Sequence, residues 1–303
     1  MSVIQVHQLS KHFGSLKAVN QLSFSVKEGE VFGFLGQNGS GKSTTIRMLL
    51  SLIHPTVGSI ELFGKPLESH RSEILEEIGA IIERPDLYPY LTAKEHLQLF
   101  AKLRSKKMSS NAIEETLKKV GLSDRAKDKV QSFSLGMKQR LGIAIALVHN
   151  PSLIILDEPT NGLDPQGIND IRNLIQHLSK QEGKTVLVSS HLLSEIEKMA
   201  TQILIIHKGE KVAEGPIQKL LDPNKMIVHL KTTNDAHTLQ VILSGSFSNY
   251  LMQRTDGIYL SIPTYEIPLL NQSLVNSGVG LIGLESRNAL EDYFLQVTTN
   301  TNE

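Results

Sequence analysis

The apolar residues of this chain fall into distinct patterns. Runs at 31–35 (VFGFL), 153–156 (LIIL), 185–188 (TVLV) and 203–206 (ILII) are almost unbroken. Runs of that length predict strands buried on both faces, as in a parallel sheet. Val3 to Leu9 and Leu22 to Val26 alternate instead, and predict half-buried strands. Helical spacing recurs in TIRMLLSLI (45–53), LTAKEHLQLFAKL (91–103), NAIEETLKKVGL (111–122), LGIAIALV (141–148) and IRNLIQHLSK (171–180). Thr92 followed by Glu95 reads as a capping box, and Gly121 as a helix stop. The stretch from about 69 to 150 is mostly helical in pattern and predicts a helical subdomain set between core strands.

Beyond residue 221 the pattern weakens. Strands are expected at Lys225 to Lys231 and around Ile258, a helix in TYEIPLLNQSLVNSG, a strand in VGLIGLESR and a last helix in NALEDYFLQVT, capped by Asn288. The final TTNTNE reads as frayed. This predicts two domains in 303 residues: 1–221, and a small α+β domain at 222–303.

Composition narrows the class. Hydrophobic residues make up 40% and charged residues 20%, as in globular proteins. Formal net charge is zero, so nothing in the totals favours nucleic acid or an anionic membrane surface. The absence of cysteine excludes disulfides and thiolate metal sites. No apolar run approaches the ~18 residues that span a bilayer. The opening MSVIQVHQLSKHFG lacks the basic-then-apolar order of a secretory signal. Any action at a membrane therefore needs a partner that spans it.

Chemistry concentrates at strand ends. After VFGFL comes GQNGSGKST: Gly36, Gln37, Asn38, Gly39, Ser40, Gly41, Lys42, Ser43 and Thr44. It fits the phosphate-binding pattern G-x-x-x-x-G-K-[ST] in its required strand–loop–helix setting. Glycines let backbone N–H groups approach phosphate oxygens, the following helix adds its dipole, Lys42 a charge, and Ser43 a hydroxyl for Mg²⁺. Asp157 and Glu158 follow LIIL at a carboxyl end, where α/β sheets place ligands. Asp157 suits Mg²⁺, and Glu158 suits orientation of an attacking water. His191 ends TVLVSSH, placed to hydrogen-bond a terminal phosphate. Two readings stay open elsewhere. Phe13 is either a base-stacking residue or a core aromatic. Ser134 and Gly136 begin either an anion-binding helix or a plainly capped one.

Taken in order, Phe13, GQNGSGKST, SFSLGMKQR, LIILDEP, NGLD and SSH resemble the ATP-binding subunit of an ATP-binding cassette (ABC) transporter. The likeness covers about Val3 to Leu220. It implies an α/β P-loop NTPase core with antiparallel β and helical subdomains. It implies ATP and Mg²⁺ as cofactors, a second copy of the chain as head-to-tail partner, and membrane permease subunits. By resemblance, Phe13 stacks on adenine, and the P-loop of one copy faces Ser134 and Gly136 of the other. Ser43, Asp157 and Glu83 surround Mg²⁺, Glu158 is the catalytic carboxylate, His191 senses the γ-phosphate, and Asp164 links the two sites. The protein then works on the inner face of the cell membrane through its permease.

There are departures. Glu83 stands where the family usually has glutamine, and the signature reads FSLGM, with Leu135 and Met137 replacing a glycine and a glutamine. A third carboxylate beside Asp157 and Glu158 would have its pKa raised unless a cation compensates, so Glu83 is expected as a metal ligand or a partly protonated group. Glu83 with SLGMKQR resembles the bacitracin-resistance and lantibiotic-immunity branch of exporters, with residues 85–92 meeting the membrane subunit.

Other readings fit less well. An exporter ATPase for an ion, lipid or polysaccharide would share every motif. DNA-repair relatives insert a long coiled coil where only about 90 residues lie here, and translation relatives fuse two cassettes. A P-loop kinase using Glu158 as base leaves Ser134, Gly136 and NGLD without a role.

Overall fold

The computed structural model describes residues 1–103, 109–222, 224, 226–254, 256–289 and 291–292. It forms two compact units, Met1–Pro216 and Ile217–Glu303.

The first unit opens with two long strands, β1 (Ser2–Phe13) and β2 (Leu16–Lys27), then β3 (Val31–Leu35) and α1 (Lys42–Leu49). Next come β4 (Val57–Leu62), β5 (Lys65–Pro66), α2 (Arg71–Glu76) and β6 (Ile78–Ile81). The helices α3 (Ala93–Lys102), α4 (Ser110–Lys119) and α5 (Leu135–Leu147) follow. The unit closes with β7 (Leu153–Leu156), α6 (Pro165–Lys180), β8 (Thr185–Ser190), α7 (Leu193–Glu197), β9 (Gln202–His207) and β10 (Glu210–Pro216).

Two sheets organise it. The core sheet has the order β10-β9-β3-β8-β7-β6, parallel except for β9 with β10. The apolar runs at 31–35, 153–156 and 185–188 fill its centre and are wholly buried. The second sheet, β2-β1-β4-β5, is antiparallel. Its inward residues Ile4, Val6, Leu22 and Phe24 share one core with Phe32, Phe34 and the α1 residues Ile46 and Leu49. Phe24 stacks on Phe32 with centroids 5.7 Å apart. This layering ties the loop after β3 to β2 of the antiparallel sheet through the β9–β10 turn, where Gly209 N donates to Ser40 O and Asn20 N to Gly209 O.

The stretch expected to be helical between 69 and 150 is not uniformly so. Ile78–Ile81 is an edge strand of the core sheet, paired in parallel with β7. Its four residues, IGAI, are too few for periodicity to separate strand from helix.

The second unit contains α8 (Ile217–Leu220), β11 (Met226–Thr232), α9 (Asp235–Ser244), β12 (Leu251–Met252), β13 (Ile258–Ile262), α10 (Ile267–Asn276) and β14 (Leu281–Asn288). It begins slightly before residue 221 because α8 belongs to it. The expected strands at 225–231, 258 and 281 and the helix at 267 correspond to β11, β13, β14 and α10; Lys225 itself lies outside the described residues. The order read from sequence omitted α9 and β12. Asn288 ends β14, and the described residues that follow it, Ala289, Glu291 and Asp292, are helical, where the last helix was expected to start; its remainder from 293 onward lies outside the described residues, as does TTNTNE.

Candidate functional site

The loop Gly36 to Gly41 curls between β3 and α1. Gly41 sits at the helix start with φ 107°, and a Cβ there would lie 2.5 Å from Ala18 O, so only glycine fits. The Ser40 hydroxyl is buried and has no hydrogen-bond partner among the described residues. Lys42 is 4% exposed, and its ammonium folds back into the loop. It donates to Gly36 O at 2.6 Å and Gln37 O at 3.1 Å, and lies 3.2 Å from Glu158 Oε1. A buried ammonium requires that degree of compensation.

The carboxylates stand at the end of β7. Asp157 N donates to Ile81 O at 2.9 Å, fixing the strand end against β6. Asp157 is 1% exposed. Its Oδ1 accepts from the Ser189 hydroxyl at 2.5 Å, while Oδ2 has no partner among the described residues. Glu158 has a left-handed backbone, φ 48°, and its N–H donates to the same Ser189 Oγ at 2.8 Å. Its side chain is held from both ends, by Lys42 at Oε1 and by His191 Nδ1, 2.6 Å from Oε2. The expected residues Lys42, Asp157, Glu158 and His191 are thus brought into one connected group.

Two adjoining clefts flank it. One, about 540 Å³, is lined by Phe13, Ala18, Asn38, Gly41, Lys42 and Thr44, among others. The other, about 500 Å³, is lined by Glu83, Arg84, Leu135, Gln139, Asp157 and Asn161, among others. Asn38, Ser43 and Glu158 line both. Phe13 is half exposed at the mouth of the first, with Lys11 Nζ 5.1 Å from its ring centroid. It is therefore not a core aromatic.

Glu83 is placed differently from the expectation. It lines the second cleft, but its carboxylate meets Arg47 at 2.6 Å with 64% of the side chain exposed. Arg47 supplies the compensation that a metal or a proton was expected to provide. Among the described residues no three His, Asp or Glu side chains form a metal-holding group. A hydroxyl and a carboxylate remain: Ser43 lines both clefts, and Asp157 lines the second. The unsatisfied Asp157 Oδ2 is a hard oxygen donor of the type Mg²⁺ takes.

Ser134 and Asp164 lie at helix starts. Ser134 caps α5, accepting from Met137 N at 3.3 Å, and Asp164 caps α6, accepting from Gly167 N at 2.9 Å. Both are exposed and apart from the first cleft. A Cβ at Gly136 would meet nothing within 4 Å, so packing inside the chain does not explain that glycine. Arg140 points away from the α5 start, toward Val120 O and Gly121 O at 3.4 Å.

Sequence reasoning missed Ser189, Arg47 and Gln139. Ser189 is fully buried on β8, and Gln139 is 6% exposed while lining the second cleft. The signal for Ser189 was present in two serines ending an otherwise apolar buried strand.

Comparison with known proteins agrees with this geometry. The ABC transporter family matches residues 19–161. The chain is 43% identical over 309 residues to the bacitracin transport ATP-binding protein BcrA of Bacillus licheniformis, covering 98% of this chain and 97% of that protein. It is 42% identical over 212 residues to the lantibiotic transport ATP-binding protein SrtF of Streptococcus pyogenes, covering 70% and 90%. A dimeric ATP-binding cassette in a post-hydrolysis state, bound to ADP and phosphate, superposes with a TM-score of 0.64 at 28% identity, covering 71% of this chain and 98% of that one.

Proposed function

The chain belongs to the ABC transporter family as an ATP-binding and ATP-hydrolysing subunit, and we propose that it energises export of peptide antibiotics through a separate membrane permease. The substrate class is supported by the extent of one likeness. The similarity to the bacitracin transport protein runs through both units and not only the nucleotide unit. Among the described residues no helix is long and apolar enough to cross a membrane; in this reading the permease supplies the conduit.

The catalytic reading rests on Glu158 being held between Lys42 and His191. A triphosphate entering the first cleft offers Lys42 stronger acceptors than Gly36 O, Gln37 O and Glu158. Transfer of Lys42 to the phosphates releases Glu158 Oε1 toward the attacking water. Glu158 then orients that water and takes up its developing proton charge. His191 keeps Oε2 in place through Nδ1 and presents Nε2 to the γ-phosphate. Ser43 and Asp157 Oδ2 would hold Mg²⁺, which would supply positive charge to offset that of the phosphates. Phe13 supplies the ring for adenine. Glu83, paired with Arg47, lies beside residues 85–92 and passes the state of the site to the permease.

The site is half complete within one chain. The exposed start of α5, with Ser134 and the packing-free Gly136, closes over the P-loop of a second copy. Asp164 sits at the seam.

The proposal is tested by expressing the chain with its permease in a bacitracin-sensitive host. The wild type is expected to raise the inhibitory concentration of the peptide, and Glu158→Gln to abolish the increase. Equal sensitivity with and without the active transporter would overturn the substrate reading and leave the ATPase assignment intact.

A further inference from the structure

The second unit runs β11-α9-β12-β13-α10-β14, and its sheet has the order β12-β13-β11-β14, antiparallel throughout. This is the β-α-β-β-α-β arrangement of a ferredoxin-like split sandwich. Val228, Leu230, Ile258, Leu260 and Ile262 form its core with Ile242 of α9 and Leu270 and Leu274 of α10. The two edges of this sheet are unlike. β12 is two residues long, a blunt edge. β14 has eight residues, contains no proline, and pairs only with β11 among the described strands. A long open edge of that kind is a template for another strand unless charge or distortion prevents it.

The charges on β14 decide which strand it accepts. Glu285 and Arg287 flank Ser286 and share one face of the strand. Lys231 hydrogen-bonds Glu285 and holds its carboxyl below the usual range, so the group stays ionised. In a two-fold antiparallel pair, an axis at Glu285 or at Arg287 would set like charges opposite each other. An axis at Ser286 instead sets each Glu285 opposite the other copy's Arg287. The bulge near Ile282, where pairing with β11 shifts between Lys231 and Thr232, ends the regular ladder and limits slippage.

We propose that β14 pairs antiparallel with β14 of a second copy about an axis at Ser286, joining two four-stranded sheets into one of eight. The second unit is thereby a self-association element, independent of nucleotide closure. One short edge buries little surface, so the contact alone is weak and transient.

The chain has no cysteine, which allows a direct test. Residues facing each other across such an axis have Cα atoms about 4.5–5.5 Å apart, within disulfide range. Full-length Ser286→Cys is expected to form a covalent dimer on mild oxidation. Gln272→Cys, exposed on α10, is the control and is expected to remain monomeric. Cross-linking of Ser286→Cys no faster than the control overturns the proposal. In the Ser286→Cys background, Arg287→Glu or Glu285→Arg alone is expected to slow capture about five-fold. Mixing those two variants restores opposite charges at both pairs and is expected to recover mixed dimers; failure to recover them rejects the register. If Glu158→Gln dimerises with ATP but Ser286→Cys does not cross-link, the pairing falls while the nucleotide sandwich stands. The reverse outcome leaves the pairing standing.

Discussion

Ser189 links the two acidic residues of the site, donating to Asp157 Oδ1 and accepting from Glu158 N. Ser189→Ala would leave Asp157 without that donor in a site only 1% exposed. The expected cost is about 1–3 kcal/mol of stability. Turnover is expected to fall about ten-fold, because Asp157 Oδ2 and the Glu158 backbone lose their fixed aim. Binding of a fluorescent ATP analogue without Mg²⁺ should be unchanged, and Ser189→Thr should restore part of the rate. Loss of Mg²⁺-free binding in Ser189→Ala would show a general disruption instead. Glu83 makes a contrasting case. Its pair with Arg47 is exposed, so Glu83→Ala should alter stability by less than about 1 kcal/mol. We expect it to reduce resistance in cells carrying the permease; unchanged ATPase activity and unchanged resistance would remove its coupling role. Lys42, Asp157 and Glu158 were legible because each occupies a fixed place in a motif after a buried strand. Ser189 and Arg47 were not, because they act across neighbours. The register Ile155 to Leu187 and Leu156 to Val188 is what sets Asp157 beside Ser189, and only the folded sheet supplies it.

At the scale of elements, local chemistry was the better guide where it is dense. Thr92 caps α3 as expected: Glu95 N donates to Thr92 Oγ1 at 3.2 Å, and Thr92 N to Glu95 Oε2 at 2.7 Å. Thr92→Ala should cost about 1 kcal/mol by urea unfolding. Those bonds from Thr92, backbone first and hydroxyl second, lower the Glu95 pKa. The folded value lies below the unfolded one, so the stabilisation is present above the unfolded value and is lost as pH falls through the folded one. Glu95→Gln should therefore be less stable than wild type at neutral pH. The difference should vanish on acidification below the carboxylate range, and a pH-independent difference would contradict the assignment. For two of the elements that escaped the sequence reading, β6 and α9, the reason is physical. IGAI is too short to show a period, and its strand character comes from pairing with β7. α9 carries Leu239, Val241, Ile242 and Leu243 in close succession, which blurs its apolar stripe despite the Asn234 cap.

On the scale of the whole molecule, the chain combines a nucleotide unit with a second unit of different architecture. The P-loop, Glu158 and His191 converge within one chain, while Ser134 and Asp164 lie exposed at helix starts outside the first cleft. The completion by a second copy proposed above would account for both facts, and for a glycine at 136 that internal packing does not require. Glu158→Gln tests this directly, because it removes the carboxylate that competes for Lys42 while leaving the loop intact. The measurement is sedimentation velocity of this variant with and without ATP, at a concentration where the nucleotide-free chain is monomeric, alongside its turnover. ATP-dependent dimers and a rate reduced at least about 100-fold are expected. A variant that binds ATP yet stays monomeric, or that hydrolyses it at the wild-type rate, would contradict this.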